Sequence, residues 1–217
     1  MTPPTAAVEG LLGMALLLTA LYLQSESFLG PMIDGIALQS ILLGALIGWL
    51  AVTGADRSLA VVAVLIVGVR GFLIPRILRG QMRAAGGSSR EIRAAQRTTG
   101  HLLAAVVVAL ISWFLFQETL APALPAAPGA ALPFVLLAEG FLLLATRSAS
   151  LAQILGYLEE ENAIVYAAIL FVAAFPLLIE TVVLLDVLGV VLLSFVLGRQ
   201  RALLGRPEAE WREELAG

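Results

Sequence analysis

Cysteine and lysine are both absent from the 217 residues. Without cysteine there can be no disulfide, thiolate nucleophile, iron–sulfur ligation or cysteine-based zinc site. Without lysine no side chain can form a Schiff base or act as an ammonium that gives up its proton, and every basic residue is arginine. A single histidine, His101, is too little for a histidine metal site. Charge is scarce too: 13% of the residues are charged, against about 25% in an ordinary soluble domain. The net charge of −3 supplies no basic face for a nucleic-acid partner.

What is present is apolar. Hydrophobic residues make up 60% of the chain, and with so few charges they cannot be hidden behind a water-exposed shell, so lipid must cover most of the surface. Runs of the ~20 apolar residues that cross a bilayer occur at about 6–24, 31–53, 58–79, 100–118, 131–146, 149–174 and 176–198. The fifth run is the shortest and the sixth the most polar. Residues 1–10 lack the positive charge of a signal peptide, so the first run reads as a retained helix. Turn chemistry separates the runs: Gly30-Pro31, Gly54-Ala55-Asp56, Gly86-Gly87-Ser88-Ser89, the stretch 121–133, and Pro176. The fold class expected is all-α, a polytopic membrane bundle of about seven transmembrane helices over 1–198 with a tail at 199–217.

Arginine sets the orientation. Loops on one side of this seven-helix topology hold Arg76, Arg79, Arg83, Arg90, Arg93, Arg97, Arg147, Arg199, Arg201, Arg206 and Arg212; the other side holds Arg57 alone. The arginine-rich side is expected to be cytoplasmic, with the N-terminus outside and the C-terminus inside. Trp49 and Trp113 then fall near outer helix ends, where interfacial aromatics belong. Gly44 and Gly48 form a GxxxG match that permits close helix contact, a weak signal in a chain with 20 glycines.

The informative residues are polar ones at membrane depth, where a charge costs about 3 kcal/mol. Arg70 lies near the middle of the third run and Glu139 of the fifth; Glu159, Glu160, Glu161 and Asn162 lie near the middle of the sixth, and Glu180 and Asp186 in the seventh. Successive helical residues turn by about 100°, so the adjacent glutamates cannot share one partner. At least one must face a neighbouring subunit, a hydrated cavity or a second helix. The acids outnumber Arg70, and both low dielectric and like-charged neighbours favour neutral carboxyls. Such a set suits a proton or cation pathway; it also suits helices cemented by hydrogen bonds. Asp34 and Glu26 sit near helix ends and read as interfacial, as does His101, for which proton entry is the lesser alternative.

The segment from Arg147 through Gln153, Gly156, Tyr157, Glu161 and Asn162, followed after Pro176 by Glu180 and Asp186, resembles the hydrogenase-4 component E family. Members are membrane subunits of group 4 hydrogenases and formate hydrogenlyase-type complexes. Gln39-Ser40 looks like that family's Gln-Ser, and Arg70-Gly-Phe-Leu-Ile-Pro75 like its Lys-x-x-x-(Ile/Val)-Pro. The resemblance implies a subunit without cofactor or catalytic centre of its own, whose last helices are similar to the K-type small subunit of complex I. It implies Glu161, Glu180 and Asp186 as proton-bearing groups, with Gln153, Asn162, Tyr157 and Gln39 in support. Glu159 and Glu160 stand where the family is usually apolar, Ala163 where it has glycine, and Arg70 where it has lysine. A guanidinium can hold an anion or tune a carboxyl but cannot relay a proton by losing one.

The expectation is a non-redox subunit of an ion-translocating assembly in a bacterial or archaeal inner membrane. Protonation would run along Glu161, Glu180 and Asp186, with Glu159 and Glu160 nearby and Arg70 and Glu139 setting the electrostatics. Partners would be antiporter-like membrane subunits, peripheral iron–sulfur redox subunits and lipid. The rivals are the small subunit of a multi-subunit cation/proton antiporter and a purely structural scaffold; a membrane enzyme has few groups here to work with.

Overall fold

The computed structural model describes residues 3–84, 98–123, 129–147 and 149–171. Among these residues the chain is helical throughout, without a β-strand. The elements are α1 (Pro3–Ser25), α2 (Leu29–Gly54), α3 (Arg57–Leu65), a π-helical stretch (Ile66–Leu73), α4 (Ile74–Ala84), α5 (Thr98–Leu115), a second π-helical turn (Phe116–Leu120), a short 3₁₀ turn (Ala121–Ala123), α6 (Leu132–Thr146) and α7 (Ser150–Phe171). Four continuous helical segments, Ala6–Ser25, Leu29–Gly54, Arg57–Arg83 and Thr99–Ala123, are long and apolar enough to cross a membrane. At 1.5 Å per residue α2 is about 39 Å long, more than the ~30 Å hydrocarbon core. Helix α6 is apolar but shorter, and α7 carries the glutamate triplet.

Local chemistry accounts for the boundaries. Gly30-Pro31 does not break the chain; both lie in the first turn of α2, where a missing proline N–H removes no helical bond. Between α2 and α3 the chain reverses in two residues. Ala55 takes a left-handed conformation (φ 52°), and Asp56 caps α3 by accepting from the N–H groups of Ser58 and Leu59. The Ser58 hydroxyl and N–H hold the Asp56 carboxyl below its usual range. Pro133 sits in the first turn of α6. Pro75 differs, because the helix runs through it. A proline donates no bond and in a regular helix its ring crowds the carbonyl four residues back, and the residues just before Pro75 adopt the wider π spacing.

Helix α2 is central, touching α1, α3, the π-helical stretch, α4 and α7. The closest pairing is α6 with α7. A Cβ at Gly156 would lie 2.8 Å from the Leu144 nitrogen and 3.1 Å from the Gly140 carbonyl oxygen, so the two backbones nearly touch, as small residues allow in membrane bundles. Gly44 works similarly, with a Cβ there coming within 3.2 Å of the Ala63 carbonyl; Gly48 meets only ordinary contact at 3.7 Å. Helix α5 packs on α1 and α6 and leaves most of its apolar surface outward.

The apolar core falls into two clusters. One joins Leu16, Leu43, Ile47, Ile66, Leu136 and Tyr166. The other joins Leu23, Ile33, Ile36, Ile74, Leu151 and Leu158. Between them, at mid-length of α2, α6, α7 and the π-helical stretch, lies a polar layer.

Candidate functional site: a buried polar layer

Arg70 is the largest fully buried side chain among the described residues, 2% exposed. The π-helical stretch delivers it to α7, where one guanidinium nitrogen donates to Asn162 Oδ1 at 3.0 Å and the other to Glu161 Oε2 at 3.4 Å. Asn162 donates its amide to Gln39 Oε1 at 3.0 Å and to Ser40 Oγ at 3.2 Å. Gln39 in turn donates to Glu159 Oε1 at 3.4 Å. One connected chain therefore runs Glu161–Arg70–Asn162–Gln39–Glu159 across three helical segments, with every member buried.

The triplet separates as the 100° helical turn demands. Glu161 faces the π-helical stretch through Arg70. Glu159 faces α2 through Gln39 and lies close enough to Glu139 of α6 for their carboxyls to interact. Glu160 lies against α6, its Cγ 2.7 Å from where a Cβ at Gly140 would be. Each of the three glutamates thus meets a second helical segment among the described residues. Tyr157, half exposed, has its hydroxyl against Glu161.

The layer is only partly satisfied. Glu139 and Glu159 are fully buried, and neither Glu139 carboxyl oxygen nor Glu159 Oε2 has a hydrogen-bond partner among the described residues; Glu160 Oε1 is in the same state. Gln24 sits beside Glu139 but its amide donates to the Glu139 main-chain carbonyl, at 2.8 Å. Each such orphaned polar group costs roughly 1–3 kcal/mol, and native structures tolerate few of them.

Gln153 is not brought into the layer. It is exposed, and its amide closes the α6–α7 turn on the Arg147 carbonyl at 3.0 Å. Glu180 and Asp186 lie outside the described residues. Asp34 pairs with Arg79 at the bundle surface, and Glu26 accepts from the N–H groups of Ser27 and Phe28 between α1 and α2. No group of three or more His, Asp and Glu among the described residues could hold a metal ion.

Three residues gain roles that sequence reasoning missed. Arg147, counted there as a loop arginine, is 3% exposed and donates to the main-chain carbonyls of Leu23 and Gln24 at 3.2 and 2.8 Å. It thereby satisfies the C-terminal end of α1, a favourable place for a cation. Gln24 links that end to α6. Glu9 of α1 is a further buried acid, 5% exposed. Gln24 and Arg147 flank helix ends, where polar residues are unremarkable, and only the tertiary contact singles them out. Glu9 did carry a signal, an acid opening the first apolar run.

Among known proteins, the chain is similar to one of Mycobacterium tuberculosis described as the uncharacterized protein Rv0085, with 28% identity over 166 residues, 74% of each chain. No family model matches, and no solved structure matches.

Proposed function

We propose that this chain is a non-redox membrane subunit of an ion-translocating complex of the complex I and group 4 hydrogenase type, contributing buried carboxyls to a proton or sodium path. In this reading it crosses the membrane seven times, N-terminus outside and C-terminus cytoplasmic. The observation that carries the proposal is the half-bonded polar layer. Arg70, Asn162 and Gln39 form a fixed frame, while both Glu139 carboxyl oxygens and Glu159 Oε2 have no partner among the described residues. Ionisable residues kept at membrane depth mark ion paths. The resemblance over Arg147–Asp186 supplies the complex. Glu161 bonded to Arg70 is the anchored carboxyl, Glu159 and Glu139 are the less bonded ones, and Glu180 and Asp186 would continue the path.

The scaffold reading has its own support, since apolar clusters cover the layer on both sides and Arg70 is held at two points. Replacing Glu161 by Gln in the assembled complex separates the two: turnover-driven ion movement should be lost while assembly persists. Normal pumping would defeat the pathway and leave the scaffold. Purification in mild detergent tests the rest. Iron–sulfur subunits should co-purify, whereas a set of antiporter subunits alone would favour the small subunit of a cation/proton antiporter. A cysteine at Ser88, outside the described residues, should be labelled only from the arginine-rich face.

A further inference from the structure

One buried acid has no part in the polar layer. Glu9 lies on α1, about 22 Å along the helix from Gln24, and its Oε2 is buried without a hydrogen-bond partner among the described residues. Gly13 is four residues further on and so shares its helix face. A Cβ at Gly13 would sit 2.8 Å from the Tyr166 hydroxyl oxygen and 2.5 Å from Leu132 Cδ1. The Tyr166 hydroxyl therefore rests against the bare α1 backbone one turn from Glu9, and the two groups interact electrostatically. Gly129, whose φ of +71° suits glycine, borders the same hydroxyl: its Cβ would come 3.5 Å from it. Two glycines and a leucine thus shape a niche around the phenol, one helical turn from Glu9.

The niche aligns with the layer. On α7, Glu159, Asn162 and Tyr166 are spaced i, i+3 and i+7, one face of a helix. Tyr166 stands about 6 Å beyond Asn162 and about 10 Å beyond Glu159 along the axis. Its end of the bundle is the one opposite Arg147, where α1 and α6 begin.

We infer that Glu9 and Tyr166 form a water-reachable proton-exchange site, the mouth through which the buried layer meets the face opposite Arg147. This rests on the pathway reading above and extends it to a residue that reading does not use. Glu9 takes a proton from water. The Tyr166 hydroxyl accepts it in a hydrogen-bonded chain while passing its own proton onward, so the phenol ends unchanged. Crossing the remaining ~10 Å along α7 to Glu159 requires water to enter between Tyr166 and the layer. The Gly13 notch is what lets the phenol approach α1.

Because the chain has no cysteine, a single introduced thiol reports water directly: thiolates react with methanethiosulfonates only where water reaches them. Applied to the full chain in sealed vesicles from the face opposite Arg147, a charged methanethiosulfonate should modify E9C at least tenfold faster than L16C, Leu16 being 1% exposed. Equal rates overturn the inference. In the assembled complex E9Q should lower proton movement at least fivefold, and E9D should keep at least half. If E9Q reduces assembly, Y166F decides, since it keeps the ring and its packing; it should lower proton movement at least threefold, and no change overturns the inference. If E9Q and Y166F pump normally while E161Q does not, the mouth is elsewhere and the pathway reading stands. If E161Q pumps normally as well, both fall.

Discussion

Whether Arg70 and Glu161 form an ion pair or a neutral hydrogen bond decides how the layer is held, and a double-mutant cycle separates the two. Two unit charges 3.4 Å apart attract by about 5 kcal/mol at an effective dielectric of ~20. Taking both from water offsets much of that, so the pair as a whole contributes little net stability. Breaking it from one side is different: the partner left behind is buried and uncompensated, at about 3–5 kcal/mol. R70Q should destabilise by that amount, because it strands Glu161 and also removes a bond to Asn162. E161Q strands the guanidinium, with somewhat less effect because Asn162 still accepts from it. R70Q/E161Q leaves two neutral amides, one of them shorter than the guanidinium it replaces, and should lose only about 1–2 kcal/mol, below the sum of the single changes.

The assay is unfolding of the purified chain from mixed micelles as the fraction of denaturing detergent rises. The coupling energy expected, the two single losses together less the double, is about 4–6 kcal/mol. Interhelical hydrogen bonds between neutral groups in membranes average only about 0.6 kcal/mol, so a coupling at or below that value refutes the ion pair. R70K is a useful companion. It keeps the charge but has a single ammonium in place of a fork, and should recover less than half of the loss.

Three further outcomes follow from local geometry. G156A should destabilise the chain by about 1–3 kcal/mol, because its methyl meets the α6 backbone at 2.8 Å, whereas G80A, with nothing within 4 Å, should gain up to about 1 kcal/mol from helix propensity; the same detergent titration reads both. R147Q should cost about 1–3 kcal/mol by unbonding the last carbonyls of α1, visible as faster hydrogen exchange at the end of that helix. Asp56 has its carboxyl held below its usual range by Ser58, so its contribution is complete at neutral pH and fades as pH falls through the ordinary aspartate range and below; thermal midpoints of D56A and wild type should differ at pH 7 and converge in acid, and a constant gap contradicts the cap.

Helical character and the apolar runs were legible because lipid-facing sequence must be apolar all round and helices alone satisfy their own backbone. Boundaries were less so. Gly30-Pro31 looked like a break, yet the first turn of a helix accepts both. Pro75 looked compatible with a plain helix, yet its ring and missing donor lie beside a π-helical stretch that no periodicity announces. The site divides in the same way. Arg70, Glu139, Glu159 and Glu161 stood out because charge at mid-depth is rare. Which glutamate meets which helix depends on the rotation of α7, and that is set by contacts such as Gly140 against Glu160 and Gly156 against Leu144. Gln153 shares the helix of the triplet but not its layer, since it is exposed beside the α6–α7 turn.

The choice of carboxylate over amide gives the layer its strongest test. Glutamine has the same shape as glutamate, brings two donors, and avoids burying an ionisable group. Both Glu139 carboxyl oxygens and Glu159 Oε2 have no donor among the described residues, so a scaffold gains little from acid there, and a neutral amide would relieve the cost of the buried carboxyl. What the acid has and the amide lacks is an exchangeable charge. E139Q and E159Q should therefore leave the isolated chain as stable as wild type, or more stable by up to about 2 kcal/mol, while ion movement by the assembled complex falls at least tenfold. In Glu159 the Gln39 bond persists on flipping one amide, so lost packing does not explain the effect. Destabilised variants that still move ions would reverse the argument: the acids would then be structural cement, and their missing partners would lie in neighbouring chains.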